Sequence, residues 1–245
     1  MKNLTLILAL IMFIIFLNIL ITYNVNAELT DNLLAYYSFD VNGTDDSINS
    51  NDMTKTGSFS HTGAKLDKGS NFRGSDNEYY EANSTIHGTG NKTMAFWLNT
   101  TNLDPPTKLS CVVQSTACFA GSAGGMRLGI TTDGIFELYF HNTDSGVYVV
   151  SDTIKLSNLQ GLHNFVIRIV NGELKIYIDG RLNTTVTTFS GTEGTPIANF
   201  RVGETSNSFD YALNGALDEF GLLSRALSDG GNCSIGDVCG GEINE

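Results

Sequence analysis

The stretch from Leu162 to Asp179, LHNFVIRIVNGELKIYID, constrains the fold of this chain more than any other. Asn171-Gly172 divides two alternating apolar runs. Asn-Gly is the strongest short-range hairpin signal, because both residues of the favoured turn take positive φ. A two-residue loop there sets Ile169 against Leu174, Ile167 against Ile176 and Phe165 against Ile178. Strand side chains alternate with period 2, so these six share one face. The segment predicts an antiparallel pair buried on one side. An all-β domain follows from it more readily than an α/β enzyme scaffold.

The rest of the chain repeats the pattern. Leu33–Phe39, Tyr79–Ala82, Thr93–Asn99, Leu109–Gln114, Met126–Thr131, Ile135–His141 and Val147–Val150 read as strands before the hairpin. Thr184–Phe189, Ala198–Gly203 and Tyr211–Leu223 read as strands after it. Asp133-Gly134 and Asn214-Gly215 carry the same turn signal as Asn171-Gly172. A two-residue loop at Asp179-Gly180 would set Ile178 against Arg181, so a longer loop or a bulge is expected there. No helical periodicity is sustained after residue 27, although a short helical turn fits Leu223–Asp229. Many short strands with turn chemistry between them predict a sandwich or jelly roll of two antiparallel sheets.

Leu4 to Ile21 is nearly all apolar, follows Lys2, and leads to the small residues of Val25-Asn26-Ala27. Residues 1–27 read as a signal peptide cleaved after Ala27, or as an N-terminal membrane-anchor helix. Residues 28–230 then form one sandwich domain, a size such folds often reach. Residues 231–245 are a Gly-rich tail. A secreted or cell-surface protein fits the four cysteines. Cys111 with Cys118 and Cys233 with Cys239 bracket short loops that local disulfides would close, one of three possible pairings. Glycosylation sequons stand at Asn42, Asn83, Asn91, Asn99, Asn183 and Asn232. The net charge of −12 argues against nucleic acid and anionic membrane surfaces as partners. Membrane contact is expected only through the N-terminal segment, if it is retained.

Several pieces in order resemble the laminin-G-like branch of the concanavalin A-like lectin/glucanase jelly rolls. Tyr36-Tyr37-Ser38-Phe39-Asp40 with Asp46-Ser47 is similar to the family's opening strand and its loop. Gly63 to Gly74 followed by Tyr79-Tyr80-Glu81 resembles the next pair of strands, and Met94 to Leu98 the strand that carries a core Trp. Lys175 to Gly180 has the family's Y-x-D-G ending, and Asn214 to Phe220 with Ser224 to Ser228 is similar to its closing strand and short helix. The resemblance implies a sandwich whose first and last strands lie side by side. That fold hosts many functions, so it does not specify one.

Calcium takes six to eight oxygens from carboxylates and carbonyls on flexible loops. The loop from Asp40 to Asp52 is rich in them, and the resemblance implies that Asp218 lies near it. A structural Ca²⁺ held by Asp40, Asp46 and Asp218 is one expectation; solvated loop acids are the other. Sugars are held by aromatic rings beside planar polar groups, which makes Tyr139, His141, Asn142, Tyr148 and Phe209 candidate ligand-binding residues. Trp97, between Phe96 and Leu98, reads as core, and the resemblance implies that His163 is a structural residue at a strand start.

Catalytic residues are not apparent. The acids of Asp76 to Glu81 lack the paired geometry of a glycosidase, and there is no G-x-S-x-G, H-E-x-x-H or Walker loop. The expectation is an exported, non-catalytic module for carbohydrate binding or cell-surface adhesion, with a glycan or a cell-surface protein as partner. The alternative is a self-associating structural subunit of a surface layer, filament or virion.

Overall fold

The structure, a computed structural model, describes residues 32–65, 67–74, 77–82, 86, 90–99, 110–115, 126–131, 133–141, 147–155, 159, 161–170, 172–187, 199–203 and 212–227, with the backbone alone at 110, 139–141 and 147–155. The described fold lies in the unit Leu33–Glu245. Among the described residues all regular structure of length is strand, and no helix is long and apolar enough to cross a membrane.

The strands are β1 (Leu33–Tyr37), β2 (Thr54–Thr56), β3 (Ser60–Gly63), β4 (Lys68–Arg73), β5 (Tyr79–Ala82), β6 (Lys92–Asn99), β7 (Ser110–Gln114), β8 (Met126–Ile130), β9 (Ile135–His141), β10 (Val147–Lys155), β11 (Leu162–Val170), β12 (Glu173–Ile178), β13 (Arg181–Val186), β14 (Phe200–Val202) and β15 (Asn214–Leu223). One sheet runs β13-β12-β11-β6-β15-β4-β3, with β1 also on β15; the other runs β10-β9-β8-β7-β14-β5-β2. All pairings are antiparallel. The first and last strands meet side by side, Tyr37 opposite Phe220.

The central hairpin has the register its sequence predicts: Phe165 opposite Ile178, Ile167 opposite Ile176 and Ile169 opposite Leu174. All six are buried in the core between the sheets. Gly172 has φ +85°, and Asn171 lies outside the described residues. Phe96 and Phe165 of the first sheet stack with Phe136 of the second, Phe136 and Phe165 at 4.9 Å between ring centres.

Some local expectations fail for identifiable reasons. Asn214-Gly215 is no turn: it opens β15, with Gly215 opposite Phe72. Asp133-Gly134 belongs to a three-residue loop, closed by Gly134 N–H donating to Thr131 O. Ser224–Leu227 is not helical; Thr93 Oγ1 donates to Arg225 O and accepts from Leu227 N instead. Trp97 is buried, as its apolar neighbours predict, but on the face of β6 opposite the core cluster. Its neighbours Phe96 and Leu98 face the core, so period 2 turns Trp97 to the outer face, where Lys65 Nζ sits 4.5 Å from its ring centre.

A small polar network inside the fold sets a pH dependence. Ser70 Oγ donates to Tyr80 Oη at 3.1 Å, and Tyr80 Oη lies 3.0 Å from His61 Nε2, which accepts when the imidazole is neutral. Burial raises the Tyr80 pKa above 10.0 against the opposing Ser70 bond. Burial, then Lys55 and Lys68, lower that of His61 below 6.5. The unfolded chain therefore binds more protons at His61 and fewer at Tyr80 than the native one. Stability is lost as pH falls below 6.5 and again as it rises above 10.0. Melting temperature is expected to fall on both sides of a plateau, and His61→Gln is expected to flatten the limb just below pH 6.5. An unchanged limb in that variant would remove His61 from the explanation.

Candidate ligand-binding cavity

The site grows out of the turn after the central hairpin. Asp179 and Gly180 take φ of +50° and +74°, a two-residue turn that places Ile178 opposite Arg181 after all. The register is repaired one step later. Tyr177 faces Leu182 but Ile176 faces Thr184, so Asn183 is the extra residue of a bulge. A bulge re-aims the side chains around it. Here Arg181, Leu182 and Asn183, three successive residues, all line one cavity.

Asp179 fixes the turn to the start of β11. Its backbone N–H donates to Asn164 O at 2.9 Å, and its Oδ1 accepts from Asn164 N–H at 2.9 Å. Oδ2 lies 2.7 Å from His163 Nδ1, and since a carboxylate only accepts, the imidazole carries a proton there. His163 is the second residue of β11. Aspartate tolerates the left-handed backbone better than most residues, and these bonds offset what strain remains.

The cavity measures about 590 Å³. Leu159 and Ile178 give it apolar wall, and Leu182 adds an apolar rim that is 52% exposed. Asp179, Arg181 and Asn183 supply a carboxylate, a guanidinium and an amide. Asn183 Nδ2 donates to Thr184 Oγ1 at 3.0 Å, which orients the amide. This combination suits a small polyhydroxylated ligand with an apolar face.

Of the candidate ligand residues, Tyr139 and His141 lie on β9 and Tyr148 on β10, with Tyr139 in register with Arg127 and Val149. Only their backbone is described, and Asn142 and Phe209 lie outside the described residues. The described lining of the cavity includes none of the five. Arg181 and Asn183 were missed by sequence reasoning; the poor register at Ile178 and Arg181 was the signal for the bulge that brings them in.

Residues 72–230 match the sequence profile of the concanavalin A-like lectin/glucanases superfamily. The chain belongs to that superfamily. Solved structures agree on the fold of this concanavalin A-like chain. The binding domain of Paraclostridial Mosquitocidal Protein 1 superposes with TM-score 0.64 at 14% identity, over 86% of this chain and 52% of that one. Domain 4 of AbnA, an extracellular arabinanase from Geobacillus stearothermophilus solved with arabinotriose, gives 0.61 at 18% identity, over 85% and 98%. The botulinum neurotoxin serotype D binding domain gives 0.59 at 15% identity, over 82% and 50%. The concanavalin A-like chain spans about half the length of the toxin structures. No curated protein sequence matches it.

The acids of this concanavalin A-like domain are placed as follows. Asp40 Oδ1 accepts from Lys68 N–H at 3.0 Å and Asp218 Oδ2 from Lys65 N–H at 2.9 Å, so Asp218 meets the segment between β3 and β4 and Asp40 the first residue of β4. Asp46 is exposed. The buried acid of the loop is its neighbour Asp45, whose carboxylate accepts from the N–H groups of Tyr36, Ser47 and Asn51. Among the described residues no three His, Cys, Asp or Glu side chains form a metal-holding group. Glu78 binds Arg73 through the backbone N–H and the guanidinium, while Glu81 pairs with Arg201 across β5 and β14. Those two carboxylates are each committed to an arginine.

Cys111 is buried on β7, its Sγ 3.6 Å from Val113 O and 3.8 Å from Leu128 O; Cys118, Cys233 and Cys239 lie outside the described residues. Among the sequons, Asn42 and Asn91 are exposed and Asn99 and Asn183 half-buried, while Asn83 and Asn232 lie outside.

Proposed function

We propose that this chain is an exported, non-catalytic recognition module that binds carbohydrate in the cavity beside the β12–β13 turn. The carrying observation is the composition of that cavity: three planar polar groups over apolar wall, in a volume that fits one or two sugar rings. The arabinanase domain solved with arabinotriose and the toxin binding domains support a binding role on the same fold. The apolar stretch Leu4–Ile21, as leader or anchor, supports delivery of the domain (residues 28–230, with its tail) to the outside of the cell.

A glycan array on the purified secreted form tests the reading. With the best-bound glycan, Arg181→Ala and Asn183→Ala are each expected to weaken binding about tenfold or more, as loss of a hydrogen bond with a charged or planar partner does. Arg181 is exposed, Asn183 is half-buried and neither belongs to the core cluster, so melting temperature should change little. Undiminished affinity in both variants would remove the cavity from the reading. Asn183 also carries a sequon, and a glycan attached there would fill the same space; the two uses exclude each other.

Self-association is the second reading, favoured by β10. This edge strand of nine residues pairs only with β9 among the described strands, and such an edge is a template for another chain. Light scattering that shows concentration-dependent oligomers, with a blank glycan array, would decide for it.

A structural calcium belongs to the same proposal, where Asp218 meets the β3–β4 segment and Asp40 the first residue of β4. With two carboxylates there, most of its shell would have to come from carbonyls and water. Melting is expected to rise in millimolar Ca²⁺ over EDTA, and Asp218→Asn to abolish the rise. Equal melting curves in the two buffers would end the idea.

A further inference from the structure

The outer face of the first sheet carries a second constellation. Along one rung, Asp218 of β15 faces Trp97 of β6, and Trp97 faces Asn164 of β11. Neighbouring strands are about 4.8 Å apart, so a carboxylate, an indole and an amide stand side by side. Asn164 is fully buried, yet neither Oδ1 nor Nδ2 has a hydrogen-bond partner among the described residues. Buried amides are nearly always satisfied, so this one calls for a partner, which a water or a bound polar ligand can supply. The Lys65 side chain, on an exposed residue, lies over the Trp97 ring, while its backbone N–H is held by Asp218 Oδ2.

We infer that this rung is a sugar-binding subsite, separate from the β12–β13 cavity, that takes a neutral sugar ring of an oligosaccharide. The C–H face of the ring stacks on Trp97 in place of the Lys65 ammonium. Its hydroxyls donate to Asn164 Oδ1 and accept from Asn164 Nδ2. Lys65 is a removable cover, because its stem is long and its anchor is the backbone. The inference rests on the carbohydrate reading above but not on the cavity.

Trp97 is the single tryptophan of the chain, so its emission reports on this subsite alone. Arabinotriose, cellotriose and lactose are titrated against the purified protein while Trp97 fluorescence and calorimetric affinity are followed. At least one is expected to shift the emission saturably. Asn164→Ala is expected to weaken that sugar at least tenfold without lowering the melting temperature, since it removes an unsatisfied buried group and keeps the backbone bond to Asp179. Lys65→Ala is expected to tighten binding several-fold by uncovering the ring. A merely structural Asn164 would leave affinity unchanged and lower stability, which overturns the subsite. Binding that Arg181→Ala abolishes, with Trp97 emission unmoved throughout, overturns the subsite and leaves the cavity reading standing. No binding of any of the three sugars, together with a blank array, overturns both.

Discussion

Asp45→Ala is expected to destabilise the domain by roughly 3 kcal/mol, and Asp46→Ala by less than about 0.5 kcal/mol. The contrast follows from one carboxylate. Asp45 is 6% exposed and accepts from Tyr36 N–H and Ser47 N–H at 2.9 Å through Oδ1, and from Asn51 N–H at 2.7 Å through Oδ2. Its own N–H donates to Asp52 Oδ1. Around it, the Asn49 and Asn51 amides donate to Leu33 O and Leu34 O, and Tyr37 Oη donates to Asn51 O. The loop after β1 is thus wound round a single acceptor and sewn to β1. Bonds to a charged acceptor contribute about 1.5–3 kcal/mol each, but the N–H groups of this partly exposed loop recover some of that in water. For a domain of this size roughly 3 kcal/mol lowers the melting temperature by about 6–12 °C. Asp45→Asn keeps the shape and one acceptor oxygen, and is expected to fall between the two. Equal destabilisation by Asp45→Ala and Asp46→Ala, in urea or thermal melts, would show that the loop is not built on this side chain.

The same loop shows where sequence reasoning stops. Its wealth of oxygens is visible in the composition, but which acid turns inward depends on the backbone path, and Asp45 rather than Asp46 does so. The central hairpin was legible because turn chemistry and alternation agreed on one register. Alternation also held the answer for Trp97. Apolar neighbours on both sides suggest burial in the core, yet Phe96 and Leu98 facing inward require Trp97 to face out. Strands β2 and β3, TKT and SHTG, were not legible because they are short, polar and largely exposed, and they exist by pairing with β5 and β4. Asn214-Gly215 misled for the opposite reason: a turn dipeptide was recruited into a long strand beside Phe72. The cavity needed tertiary information, since its shape comes from the bulge at Asn183 and from Leu159, which is remote in sequence from the turn.

Phe165→Ala is expected to cost roughly 3–5 kcal/mol, enough to bring the domain close to unfolding at ordinary temperature. Phe165 has no exposed surface, and its ring stacks against those of Phe96, at 5.7 Å, and Phe136, at 4.9 Å, which also meet each other. Phe96 and Phe165 belong to the first sheet and Phe136 to the second, so the ring closes the gap between the layers. Truncation leaves a void that the two remaining rings cannot fill without moving strands held by their own ladders, which places the cost in the upper range for large-to-small changes. Phe165→Leu keeps most of the volume and is expected to cost well under half as much. The adjacent Val166 provides the control. It pairs with Ala95 and Tyr177 on the outer face, and Val166→Ala is expected to cost about 1 kcal/mol or less. Urea denaturation of the three variants measures the difference directly. If Val166→Ala were the more damaging of the two alanine changes, the hairpin would sit one residue out of register. Every inward and outward assignment on β6, β11 and β12 would then reverse, and the placement of Trp97 and Asn164 on the outer face would fall with it.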